Sequence, residues 1–344
     1  MELIHTFLNL VAPPFTFFSL CFFLPPLQCY KYFTSLLNSI FSETLAGKVV
    51  IVTGASSGIG EHLAYEYASR GACLALFARR GKSLDDVADR ARQFGSPDVI
   101  TIRGDISKVD DCRHLVEETV NHFGRLDHLV NNAGICSVCL FEDSDNITNF
   151  KSIMDTNFWG SVYTTRFAVP HLRNSKGKIV VLSSSDSWLP LPRHSFDNAS
   201  KAAVLLFFET LRIELGPDIS ITIATPGFIE SELTQGKFVT GEGKVEIDQD
   251  MRDVQVAAPV EFVESCAKAI VKSACRGDRY LTEPSWFRVT YWLKVFCPEV
   301  IEWYCWLFYL SRSGAPPSKR LLDLTGAKNV FYPTSIQSDD IKTE

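Results

Sequence analysis

The fold is decided by residues 48–60, KVVIVTGASSGIG. The first half is a short apolar run rich in β-branched residues, the pattern of a buried strand. The second half carries Gly54, Gly58 and Gly60 and runs into a helical periodicity over 58–70. Glycines in a strand-to-helix turn let the backbone bend tightly and approach a pyrophosphate, and the helix N-terminus favours that negative charge. A glycine triplet alone says little. Between a strand and a helix it stands where the mechanism needs it.

Outward from this turn, strand and helix patterns alternate. Further strands are expected at 73–78 (CLALFA), 98–105 (DVITIRGD), 126–134 (LDHLVNNAG), 177–185 (GKIVVLSSS) and 219–227 (ISITIATPG). Helices are expected near 83–94, 108–123, 149–172 and 199–215. This order predicts a parallel sheet covered on both faces. At the end of the second strand an acidic residue would bond a ribose 2′-hydroxyl; Arg79 and Arg80 stand there instead, with Ser56 and Ser57 across the turn. Two guanidinium groups suit a 2′-phosphate, so NADP(H) is the expected cofactor. Arg80 could equally be a solvated surface charge. Asp105 suits an adenine amino group or a turn cap.

The 344 residues allow one large α/β domain with short extensions. A net charge of −6 without a basic run argues against a nucleic-acid partner. Ten scattered cysteines fit reduced thiols facing the cytosol. The single C-x-x-C, Cys136 and Cys139, has no second pair at zinc spacing and reads as packing, so no metal is expected. Two N-glycosylation sequons, at Asn146 and Asn198, are not expected to be used on a cytosolic face.

From Leu3 to Tyr30 there is no Asp, Glu, Lys or Arg, and the first cation, Lys31, follows the apolar stretch. That is the reverse of a secretory signal, so residues 1–32 read as an uncleaved anchor. Two diprolines, Pro13-Pro14 and Pro25-Pro26, make one smooth spanning helix doubtful. The ten residues between them would form a helix of about 15 Å, half of a ~30 Å hydrocarbon core. Entry into one leaflet and return suits a monolayer over stored lipid; a kinked transmembrane helix is the alternative. Lys31 and Lys48 place the rest on the cytosolic side. Residues 33–46 read as a linker, 47–284 as the α/β domain, 285–332 as an aromatic-rich extension and 333–344 as a polar, disordered tail.

As a set, the glycine motif at 53–60, Asn131-Asn132-Ala133-Gly134, Asn157, Ser184, Lys201 and Pro226-Gly227 resemble the short-chain dehydrogenase/reductase family in order and spacing, over roughly residues 45–285. TNFWGSVYTTR (156–166), SWLPLPR (187–193), TPGFIESELTQGK (225–237) and the proline-bearing anchor are similar to the plant steroleosins, the hydroxysteroid dehydrogenases of oil bodies. Their catalytic domain resembles that of mammalian 11-beta-hydroxysteroid dehydrogenases. The resemblance implies a Rossmann-type doubly wound parallel sheet of about seven strands. It also implies an oxidoreductase interconverting hydroxyl and ketone on an apolar, sterol-like substrate, at a lipid-droplet or endoplasmic-reticulum surface. A homodimer is a family expectation. Ile59, Ile106, Asn132, Ala133, Gly134, Pro226 and Ile229 are implied cofactor contacts beside the glycine turn.

The family mechanism uses serine to hold the substrate oxygen, tyrosine to pass the proton, lysine to lower the tyrosine pKa and bind the ribose, and asparagine to hold a relay water. Ser184, Lys201 and Asn157 match by position, but the tyrosine position is Asp197, and no tyrosine occurs between Tyr163 and Tyr280. Aspartate starts near pKa 3.9, and Lys201 favours its charged form further, so a weak proton donor is expected. The alternative is a non-catalytic lipid-surface protein that binds NADP(H), a sterol or a partner. Asp197 also suits a helix N-cap. His194 reads as a solvent-exposed loop histidine rather than a replacement acid. The stretch 286–310, with four of the six tryptophans, reads as helices split at Pro298. A lipid contact, the wall of a sterol pocket, or a core or dimer surface would each suit it.

Overall fold

The computed structural model describes residues 1–40, 42–144, 146–310 and 315–337. It divides into two units, residues 1–43 and 44–344.

The first unit is one helix, α1 (Glu2–Ile40), which runs through Pro13, Pro14, Pro25 and Pro26. The diprolines, which made one smooth helix doubtful, lie inside it. Each proline deletes one backbone donor, while the turns on either side keep the rest of the ladder, a compromise apolar helices tolerate. Its segment Glu2–Thr34 is long and apolar enough to cross a membrane.

The second unit is built on seven parallel strands: β1 (Val49–Thr53), β2 (Cys73–Ala78), β3 (Val99–Arg103), β4 (His128–Asn131), β5 (Lys178–Leu182), β6 (Ser220–Pro226) and β9 (Tyr280–Glu283), in the order β3-β2-β1-β4-β5-β6-β9. The six expected strands are present. The seventh, β9, closes the sheet beyond β6. Alternate residues of the fully buried β1 serve two cores. Val50 and Val52 pack with Leu63 and Tyr67 of α2 (Gly58–Ser69) and Ile270 and Val271 of α8 (Val263–Arg276). Val49 and Ile51 pack with Leu115 of α4 (Val109–Phe123), Leu172 of α5 (Gly160–Ser175) and Phe208 of α6 (Ser195–Leu215). Both faces are dry, which is why the parallel strands read as continuous apolar runs.

Three departures from the sequence reading matter. The helix expected at 149–172 is broken by a π-turn, Asp155–Trp159, that contains Asn157; such turns are often functional. Helix α6 begins at Ser195, four residues earlier than expected, with His194 as its N-cap. A hairpin, β7 (Lys237–Val239) with β8 (Val245–Ile247), and α7 (Gln249–Gln255) follow β6, where no elements had been assigned. The aromatic stretch does split at Pro298, into α9 (Arg288–Phe296) and α10 (Pro298–Tyr309). Ile301, Cys305 and Tyr309 of α10 pack against Leu189 and Leu191. Of the expected disordered tail, Thr334–Gln337 forms a helical turn with Ile336 buried, and residues 338–344 lie outside the described residues.

Buried Asp127 ties the sheet together at its lower edge. Its carboxylate accepts from the Val49 N–H at 2.9 Å, from Arg125 Nε and Nη2 at 2.8 and 2.6 Å, and from Lys48 Nζ at 3.3 Å. Burial opposes the charge, but Arg125, the Val49 amide and Lys48 outweigh it and hold the carboxyl below its ordinary value. Its stabilisation is therefore full above the unfolded pKa and lost as pH falls through the depressed one. Asp127→Ala is expected to cost about 3 kcal/mol at neutral pH, measured by urea unfolding, with the deficit shrinking in acid.

Candidate active site

Gly54 has φ +66°, and a Cβ there would lie 2.8 Å from Ala133 Cα; a Cβ on Gly60 would lie 2.3 Å from the Gly54 carbonyl oxygen. Only glycine lets α2 approach the turn this closely. The turn is stitched to the loop after β4. Asn132 Nδ2 donates to the Thr53 carbonyl at 2.9 Å, and the Asn132 and Ala133 amides donate to Thr53 Oγ1 at 3.0 and 3.1 Å. The N–H groups at the start of α2 thus stand over a rigid floor.

A cleft of about 960 Å³ runs from this turn along the carboxyl ends of the strands. Every expected cofactor residue lines it: Gly54, Ser56, Ser57, Gly58, Ile59, Gly60, Arg79, Arg80, Asp105, Ile106, Asn132, Ala133, Gly134, Lys201, Pro226 and Ile229. So do Ser184 and Asp197, while Asn157 lies buried behind them. Such a position, outside the carboxyl ends of a parallel sheet, is where open α/β folds bind ligands. The size, the glycine floor and the paired serines fit a dinucleotide. When bound, it would supply hydride exchange at its nicotinamide.

Arg80 is held in place. Nη2 donates to Ser57 Oγ at 2.6 Å and to Ser56 Oγ at 3.2 Å, and Nη1 to Glu232 Oε1 at 2.6 Å. It is not a free surface charge. Glu232, 152 residues away in sequence, was not foreseen. Burial pushes its carboxyl up, but Arg80 and Lys237 hold it below the ordinary value. Arg79 is exposed and accepts, through its carbonyl, from Arg103 Nε at 3.1 Å. Asp105 Oδ1 accepts from the amide and hydroxyl of Ser107 at 3.0 and 2.9 Å, which is the turn cap.

At the other end of the cleft, Ser184 Oγ accepts from the Asp186 amide at 3.1 Å. A Cβ on Gly134 would lie 3.3 Å from both Lys201 Nζ and Asn157 Oδ1, which brings these two groups together. Asn157 Nδ2 donates to Asp197 Oδ1 at 3.1 Å and to the Ile135 carbonyl at 2.9 Å, and Oδ1 accepts from the Ile135 amide at 2.8 Å. Asp197 is the third residue of α6, so it is not the N-cap, and its carboxyl bonds Asn157 rather than the helix amides.

Two expectations about charge are corrected. Asp197 is 3 % exposed, and burial raises its pKa to about 6 although Lys201 pulls the other way. Removing water from the carboxylate outweighs the nearby cation. His194 is buried rather than exposed, its Nδ1 3.5 Å from Asp186 Oδ2 and 3.9 Å from Cys136 Sγ. Donor atoms of Cys136, His194 and Asp197 lie within 4.8 Å of one another. No spacing in the sequence pointed to this cluster, because it joins the start of α6, which carries His194 and Asp197, to Cys136 in the loop after β4.

Residues 48–240 match the family model for short chain dehydrogenases. The chain belongs to that family. It is 63 % identical to "11-beta-hydroxysteroid dehydrogenase A" of Sesamum indicum, with both chains covered in full. It is 60 % identical to "11-beta-hydroxysteroid dehydrogenase 1A" of Arabidopsis thaliana, again over the whole of both. Among solved structures, a dehydrogenase/reductase from Sinorhizobium meliloti 1021 superposes with a TM-score of 0.62 at 28 % identity, covering 72 % of this chain and 96 % of that one.

The raised Asp197 carboxyl has a consequence for stability. Its contribution is full below the ordinary carboxylate pKa of 3.8 and lost as pH rises through about 6, because the fold holds the neutral form better than the unfolded chain does. Asp197→Asn removes this titration. Relative to the native chain, the variant should gain up to about 3 kcal/mol between about pH 4 and about pH 8 in urea unfolding. An equal difference at both pH values would contradict the burial argument.

Proposed function

We propose that the chain is an NADP(H)-dependent oxidoreductase that interconverts a hydroxyl and a ketone on an apolar, steroid-like molecule. The observation that carries this reading is the single cleft. It joins a dinucleotide-shaped glycine turn, with Arg80 at its phosphate end, to Ser184 and Lys201 at its far end. In this reading Ser184 Oγ holds the substrate oxygen, Lys201 supplies the positive charge beside the ribose, and Asn157 fixes Ile135 and Asp197. Arg80 meets the 2′-phosphate, with Ser56 and Ser57 orienting its guanidinium. The names of the full-length relatives support a steroid-like substrate.

Helix α1 would hold the protein at a lipid droplet or endoplasmic-reticulum surface with the folded unit facing the cytosol. Its apolar length, and Lys31 standing near its C-terminal end beyond the uncharged stretch, support this.

A second reading, binding without turnover, draws on Asp197, whose shorter carboxyl is engaged by Asn157. One experiment separates the two. Ketosteroid reduction by the native chain is compared with that by Asp197→Tyr at about pH 8, where the native carboxyl is ionised. The oxidoreductase reading predicts measurable native turnover and a gain of roughly 10²-fold in the variant, the usual scale of general acid catalysis. No turnover in either protein, with NADPH bound, would leave the binding reading.

A further inference from the structure

His194 is turned into the cleft by a strained neighbour. Arg193 has φ +71°, unusual for a residue with a side chain. It is held at both ends: its Nη1 donates to the Tyr309 carbonyl and its own carbonyl accepts from the Cys139 amide, each at 2.9 Å. The His194 carbonyl then accepts from the Asn198 amide at 2.7 Å to start α6. Nδ1 faces Asp186 at 3.5 Å. The Gln255 side chain stands close enough to help raise the imidazole pKa, but Nε2 is buried and, among the described residues, meets no partner in hydrogen-bonding geometry. The same holds for both amide atoms of Gln255, which line the same cleft. Buried polar groups left without partners are rare in folded chains and point to a ligand or water that completes them.

The geometry points to His194 Nε2 as the proton donor to the substrate oxygen in ketone reduction, with Asp186 orienting the ring through Nδ1 and Gln255 as a second polar contact. This deepens the proposed oxidoreductase reading and rests on it. In the balanced step, the hydride for the carbonyl carbon would come from the reduced dinucleotide when one is bound in the cleft. The carbonyl oxygen takes the proton from Nε2, so the products are the alcohol, the oxidised cofactor and neutral imidazole, which regains a proton from water. The reverse reaction uses neutral His194 as the base. An imidazole held by a carboxylate at one nitrogen and free at the other is the arrangement that proton transfer to a substrate needs.

The groups near the ring are Asp186 from the loop after β5, Asp197 from α6, Cys136 from the loop after β4 and Gln255 from α7, with Lys201 of α6 close to Asp197 and Cys136. Tyr309 of α10 stands behind Asp186. Burial disfavours the imidazolium, but Asp186 and Asp197 outweigh it and raise the pKa above the ordinary value of 6.5. Ketone reduction should therefore fall as pH rises through that raised value.

The test compares the full chain with His194→Gln, His194→Asn and Asp186→Asn, with NADPH binding followed separately by fluorescence. Both His194 variants should reduce a ketosteroid roughly 10²-fold more slowly and lose the falling limb of the pH profile, with NADPH affinity within about twofold of native. Asp186→Asn should shift that limb to lower pH. In Asp197→Tyr, where a phenol is restored, adding His194→Gln should cost little. In ¹⁵N-histidine-labelled protein, the Nε2 resonance of His194 should move when the ketone binds. Any of four results overturns the proposal: turnover within about threefold of native in both His194 variants, no native turnover with NADPH bound, an Nε2 resonance unmoved by the ketone, or stoichiometric zinc lost with the imidazole. Failure of NADPH to bind the native chain would instead remove the oxidoreductase reading itself.

Discussion

The site depends on the contact between Gly60 and the Gly54 carbonyl, which lets the start of α2 sit directly on the end of β1. A side chain at either glycine would push the helix off the strand. Thr53 and Asn132 then lock this turn to the loop after β4, and that loop carries Gly134, Ile135 and Cys136 to the floor of the reactive end. The phosphate end and the reactive end of the cleft are therefore set by one piece of backbone. The parallel sheet, dry on both faces, keeps that piece from shifting.

Onto this frame the chain places an unusual set of acids. At the reactive end of the cleft the carboxyls of Asp186 and Asp197, the His194 imidazole and the Lys201 ammonium group stand together. In such a place solvation decides more than proximity. Burial raises the Asp197 carboxyl pKa to about 6, even with Lys201 at hand.

The sheet was legible because apolar β-branched runs alternate with amphipathic helices, and the glycine turn because its spacing is a local property. Ser184, Lys201 and Asn157 were expected at the site from the family resemblance, not from any local pattern of their own. What could not be read depends on distant or conformational facts. Glu232 reaches Arg80 from another loop, so the sequence around Arg80 could not distinguish a held guanidinium from a solvated one. The burial of His194 follows from the left-handed backbone of Arg193, which no residue type signals, since glycine or asparagine would be the usual occupant. The early start of α6 removed the capping role from Asp197. The four prolines inside α1 could not be read as breaks or kinks from residue type alone, because an apolar helix tolerates the donors they remove.

The most direct measurement is a titration of the native chain with NADPH, followed by intrinsic fluorescence, with NADH in parallel. The account predicts saturable NADPH binding about tenfold or more tighter than NADH, because only the former offers Arg80 a 2′-phosphate. Equal or tighter binding of NADH, or no saturable uptake of either dinucleotide, would contradict it.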